Sequence, residues 1–208
     1  MSTEVLIAFF VSSLLLALAP GPDNIFVLTQ SAIYGARSGA LVVLGLCTGL
    51  VFHTALVTLG ISAIIVANEY LFLAVKAVGA LYLLYLAWGA FRAKPSGGGG
   101  EAVALSPRAL YLRGVVMNGT NPKVIIFFLA FFPQFVAKGA GSGEIMVQML
   151  VQGLLFMAAT FLVFNAIALL AGQLKTLTRS PRFETYLNRI AGLIFVGLAV
   201  SALLVTAN

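Results

Sequence analysis

The 208-residue chain is 61% hydrophobic and only 9% charged, with a mean hydropathy of +1.08, whereas ordinary soluble domains carry about 25% charged residues. That composition excludes a soluble domain of any size. The net charge of +6 lies in short segments between apolar runs, which argues against nucleic acid, and the single cysteine, Cys47, excludes an internal disulfide or a cysteine metal cluster.

An apolar helix needs about 20 residues to cross the hydrocarbon core, and six such runs occupy about 4–33, 40–67, 70–91, 109–135, 144–172 and 187–206. The chain therefore reads as an all-α integral membrane protein, one domain over 1–208 with six transmembrane helices. The opening MSTEV lacks a basic segment and the apolar run after it is long, so the first span reads as uncleaved. With loops placed alternately, Arg37, Arg92, Lys94, Arg108, Arg113, Lys175, Arg179, Arg182 and Arg189 share one side, against Lys138 and the edge-lying Lys76 on the other. Short basic loops face the cytoplasm, so both termini are expected outside.

The first span carries Pro20-Gly21-Pro22-Asp23-Asn24 in its middle. Interior proline removes a hydrogen bond and clashes with the preceding turn, so two half-helices are expected, Glu4 to about Ala19 and Pro22 to about Ala32. Proline is favoured at the first helical position and an acidic residue just after it suits the positive end of the dipole. A charge at the bilayer centre costs about 2.5 to 3.5 kcal/mol on insertion scales, which makes Asp23 a functional candidate. The bland alternative is a kinked helix with a solvated aspartate, but Asp23 is far from either loop.

In the second span Gly35, Gly39, Gly45 and Gly49 form two GxxxG patterns that favour close helix packing, whether inside one subunit or in a homodimer. His53, near the middle, is either a hydrogen-bonded packing residue or a proton relay, since imidazole titrates near neutrality. The third span holds Lys76, which snorkels or pairs with Glu69 seven residues earlier, and Trp88, which with Arg92 and Lys94 reads as an interfacial anchor. Residues 94–108, with Gly97 to Gly100, read as a flexible cytoplasmic linker between halves 1–93 and 109–208.

The fourth span repeats the pattern of the first. Asn118-Gly119-Thr120-Asn121-Pro122-Lys123 interrupts it, with Pro122 set to open another half-helix. Lys123 then lies near a positive dipole end, which is unfavourable unless an anion is close. Pro22 and Pro122 are 100 residues apart, as are Asp23 and Lys123. Each half has three spans and breaks its first, so the second half enters from the opposite side. That makes the halves inverted repeats, and matching broken helices point to a binding site at the midplane. Asp23 and Lys123 are expected to approach each other there. In the fifth span Gln148, Gln152 and Asn165 are polar, and Asn165 either enters the cavity or makes an interhelical hydrogen bond. The phenylalanines around it, Phe127, Phe128, Phe131, Phe132, Phe156, Phe161 and Phe164, read mostly as lipid-facing or packing surface. A basic connection, Lys175 to Arg189, precedes the last span.

With PGPD near position 20, NPK near 121, six spans and a polar central loop, the chain resembles the LysE/RhtB family of bacterial amino-acid exporters over essentially its whole length. The resemblance implies export of amino acids or close derivatives across the inner membrane, coupled to the proton gradient; in that membrane the outward termini expected from the basic loops are periplasmic. It points to Gly21, Pro22, Asp23, Asn24, Asn121, Pro122 and Lys123 as substrate-site elements. Basic-amino-acid exporters of the family tend to have glutamine where this chain has Asp23, so the PGPD form looks more like the threonine and homoserine branch and implies a neutral substrate. The polar neighbours Asn118, Thr120 and Asn165 complete the expected site, with Asp23 and His53 as candidate proton carriers. No cofactor or metal is implied, and the chain has no HExxH, nucleophile elbow or metal-ligand cluster that would favour a membrane-embedded enzyme. A channel or an exporter of another solute or cation is the alternative transport reading, weakened for metals because one carboxylate and one histidine make a poor cation site.

Overall fold

The architecture is set by where proline interrupts apolar helix. The computed structural model describes residues 1–67, 69–94, 103–137, 140–178 and 180–204, and every regular element among them is helical. Gly97 to Gly100 of the expected linker, and Lys138, lie outside the described residues. α1 (Thr3–Leu18) starts at Ser2, whose hydroxyl accepts from Val5 N at 3.4 Å. It stops before Pro20, and α2 (Pro22–Tyr34) leaves it at 63°. α3 (Ala36–Ala67) and α4 (Glu69–Arg92) follow as long rods. α5 (Pro107–Thr120) is capped by Ser106, whose hydroxyl accepts from Ala109 N. α6 (Pro122–Ala130) is bent from α5 by 49° and is closed by a 3-10 turn over Phe132–Phe135, which Pro133 forces. α7 (Ser142–Thr178) and α8 (Pro181–Leu204) follow. Among the described residues four helices are long and apolar enough to cross a bilayer, and counting each bent pair as one span brings the total to six.

The basic connection expected from Lys175 to Arg189 is mostly helix. α7 runs on to Thr178 and α8 begins at Pro181, where a missing N–H is harmless and Glu184 N donates to Ser180 O at 3.1 Å. The other expected boundaries fall within a few residues of the observed ones.

The halves interlock. α3 lies between α5 and α7 of the second half, α4 packs on α8 and α6, and both α1 and α2 pack on α7. Close approach depends on glycine at one crossing in particular. A Cβ on Gly45 would collide with the backbone of Tyr111 and Gly114, and one on Gly114 with the carbonyl of Val42. At this crossing the small-residue face of α3 is therefore used for packing inside the subunit.

The apolar core is two clusters. One lies toward the face where α1 and α7 begin and is built on Phe9, Phe127, Phe128, Phe131, Phe132, Phe135 and Phe156. The other, toward the opposite face, is mostly aliphatic, with Val42, Val43, Leu46, Leu110 and Phe164. Of the phenylalanines expected mostly at lipid or packing surfaces, only Phe161 is exposed. The others stack in the core, Phe128 on Phe132 with ring centroids 4.1 Å apart and Phe127 on Phe156 at 4.9 Å. Trp88 lies under Arg92 at 3.9 Å, the cation–π pair of an interfacial anchor. Lys76 is buried on α4.

Candidate functional site

Breaking a helix releases carbonyls that α1 would otherwise have bonded internally. Several are met by the other break or by the chain just after their own. Leu15 O accepts Ala19 N at 3.0 Å, and Ala17 O accepts the Asn24 amide at 2.8 Å. Leu16 O and Ala19 O, at 3.3 and 3.0 Å, accept the ammonium of Lys123, which comes from the second half of the chain. A cation on the C-terminal carbonyls of a helix lies at the negative end of its dipole. The Lys123 ammonium passes 3.3 Å from where a Cβ on Gly21 would stand, a tight contact at the flexible end of the lysine.

The reciprocal bond runs the other way. Asn121 donates from Nδ2 to Asp23 Oδ2 at 2.9 Å, while its Oδ1 accepts Lys123 N at 3.0 Å and caps α6. Pro122 has no N–H for the carbonyl four residues back, Asn118 O. That carbonyl is taken by Asn121 N at 3.1 Å and by His53 Nε2 at 3.1 Å. A carbonyl only accepts, so the Nε2 of His53 carries the proton.

Asp23, Asn118 and Lys123 line one cavity at the boundary between the two apolar clusters, with Leu16, Leu46, Leu50, Phe156 and Thr160 among its walls. Its volume of about 20 Å³ exceeds the roughly 10–15 Å³ a water requires and is too small for an amino acid. Asp23 is 3% and Lys123 8% exposed, yet no ion pair joins them directly. Asp23 Oδ1, Asn24 Oδ1 and Asn118 Oδ1 are buried without hydrogen-bond partners. The cavity is therefore rich in acceptors, with Lys123 as the lysine on its wall.

The structure thus brings Gly21, Asp23, Asn24, Asn118, Asn121 and Lys123 together, with His53 one bond behind. Pro22 and Pro122 are exposed and contribute the backbone breaks. Thr120 is exposed and bonds back to Val116 O, and Asn165 is half-buried and bonds back to Phe161 O, so neither reaches the cavity. Thr160 and the aliphatic walls were not singled out by sequence, and Phe156 and Phe164 were read only as lipid-facing or packing surface. Their one signal is the spacing of Phe156, Thr160 and Phe164 at intervals of four along α7.

Six spans, two of them broken by proline with the breaks hydrogen-bonded to each other, define a membrane translocator of the broken-helix kind. The chain matches the family described as LysE type translocator over residues 14–206, and it belongs to that family. It is 33% identical to a leucine efflux protein of Enterobacter sp. (strain 638), across 95% of this chain and 92% of that one. It is 31% identical to a homoserine/homoserine lactone efflux protein of Salmonella typhi, across 100% and 99%, and 32% identical to an uncharacterized membrane protein of Vibrio cholerae over the full length of both. No solved structure matches the chain significantly.

Proposed function

We propose that this protein exports neutral amino acids across the bacterial inner membrane by proton-coupled alternating access. The observation that carries the reading is the reciprocal capping of the two breaks: Lys123 holds the end of α1 while Asn121 holds Asp23. A zwitterion offers both charges that could replace these contacts. Its carboxylate draws the Lys123 ammonium off Leu16 O and Ala19 O, and its own ammonium then takes those carbonyls together with Asp23. One acid and one base in the site match one zwitterion, whereas a basic amino acid would leave a second ammonium unmet. The names of the leucine and homoserine efflux relatives support the same substrate class, and efflux in both relatives supports a transporter in place of an enzyme.

Asp23 is the proton carrier in this reading, and His53 is a positioning residue because its Nε2 is committed to Asn118 O. Protonation of Asp23 from outside weakens its hold on the ammonium and releases the substrate. The halves 1–93 and 109–208 act as inverted repeats. Supporting this, exchanging the halves maps the contact of α3 with α5 onto that of α7 with α1, and leaves the α3–α7 and α4–α8 contacts in place. The termini are periplasmic, from the basic side opposite them, and a C-terminal reporter active only in the cytoplasm should stay silent. Any second copy of the chain would pack through faces other than the Gly45 crossing.

Counterflow of labelled amino acids in proteoliposomes tests the function. Wild type should accumulate label from leucine- or homoserine-like substrates and respond to an imposed pH gradient. Asp23→Asn should lose the gradient-driven component; undiminished, gradient-sensitive efflux by that variant would remove Asp23 from its role.

A further inference from the structure

Two buried amides on α7 have no part in the central site. Glu144, Gln148, Gln152, Phe156 and Thr160 follow one another at intervals of four, a row of neighbouring side chains that winds slowly around the helix. Phe156 and Thr160 are walls of the cavity, and the row leads from them to the end of α7 at which Glu144 is exposed. Gln148, 4% exposed, is fully engaged: its Oε1 accepts Ala137 N at 2.9 Å and its Nε2 donates to Glu144 Oε1 at 3.2 Å. It ties the chain after the 3-10 turn to α7 and closes that end. Gln152 is 0% exposed, and neither atom of its amide has a hydrogen-bond partner. A buried, unpaired amide is destabilising, and leucine would fill a similar volume at no such cost. Packing therefore gives no reason for glutamine at this position. Between Gln152 and the cavity stands only one turn of helix, carrying Phe156, whose ring stacks on Phe127 and meets Phe128 edge-on at 5.4 Å.

Building on the exporter reading, we infer that this row is the exit route and that Gln152 is a second substrate station, one helical turn outside the Phe156 wall. Its carbonyl oxygen and its amino group match the ammonium and the carboxylate of a zwitterionic amino acid. Rotation of Phe156 away from Phe127 joins the cavity to Gln152, and release of Ala137 by Gln148 opens the last step.

The test uses Gln152→Leu and, in a Cys47→Ser background, Gln152→Cys, with the lipid-facing Leu154→Cys as comparison. Gln152→Leu should melt no lower than wild type, bind leucine or homoserine at the central site as wild type does, and lose efflux by about tenfold. A small charged thiol reagent added from outside should label Gln152→Cys, faster during turnover than at rest, and leave Leu154→Cys unmodified. Full efflux by Gln152→Leu, loss of its central-site binding, or a Gln152→Cys that transports yet never labels would each overturn the route while leaving the exporter reading intact. Absence of counterflow in wild type would instead overturn the exporter reading.

Discussion

His53 shows how one side chain can look like a proton relay in sequence and like a cap in space. Its Nε2 faces the carbonyl that Pro122 leaves without its i+4 helical donor, and its ring lies 5.3 Å from that of Phe128. Glutamine can place an amide nitrogen near the Nε2 position and does not titrate, which separates the two roles. We expect His53→Gln to keep transport, and its dependence on pH, within about twofold of wild type. His53→Leu leaves Asn118 O with Asn121 N as its remaining donor; losing one hydrogen bond costs about 0.5–1.5 kcal/mol, and the variant should have a lower melting temperature and a lower transport rate. A His53→Gln variant with normal stability but a flattened pH profile would return the histidine to proton transfer. Lys123 and Asp23 carry the same lesson: both are buried at one cavity, yet each is held by neutral groups of the opposite break in place of a direct ion pair. Such an arrangement keeps both charges available to a ligand that brings its own.

The broken helices are the elements on which the site depends, and proline is why they could be read from sequence. Pro22 and Pro122 each forbid one backbone hydrogen bond whatever surrounds them, so the breaks follow from local chemistry and appear where expected, bent by 63° and 49°. What each break bonds to is a tertiary matter, and the capping of α1 by Lys123 across 104 residues of sequence to Ala19 could not be read from spacing. The same limit hid the role of the phenylalanines, because an apolar ring suits lipid and core equally well. It also hid the lack of reach of Asn165, which its own helix satisfies at Phe161 O. The break itself is testable. Pro122→Ala returns an N–H to Asn118 O and frees Asn121 from its extended conformation, φ −72° and ψ 110°. The helical hydrogen bond takes the place of that from Asn121 N, and the lost proline restraint costs about 0.4–1 kcal/mol. Stability should therefore stay near wild type while transport falls, as α5 and α6 straighten and withdraw Lys123 from α1. A variant with full transport would show that the bend is incidental.

At the scale of the whole molecule, a polar layer separates two apolar clusters of unequal make-up. The cluster on the α1-entry side is a stack of aromatic rings contributed by α1, α6, the 3-10 turn and α7, in which Phe9 meets Phe132 edge-on at 5.1 Å and Phe135 at 5.2 Å. Aromatic pairs of this kind add about 0.5–1.5 kcal/mol each beyond their burial, which strengthens the closure on this side. The opposite cluster is aliphatic apart from Phe164 and Phe26 and closes by helix packing around the Gly45 crossing. The alternating access proposed above would require the aromatic seal to part in every cycle, with Phe9 on the first half moving away from Phe132 on the second. Joining those two positions should therefore stop transport without harming the fold. In a Cys47→Ser background, Phe9→Cys with Phe132→Cys should transport while reduced, stop when a short thiol-to-thiol linker is added, and leave each single variant unaffected by the same reagent. The central site should still bind substrate from the opposite side of the linked protein. Continued counterflow in a fully linked sample would mean that the halves do not separate along this stack, and the passage would then have to bypass Phe9 altogether.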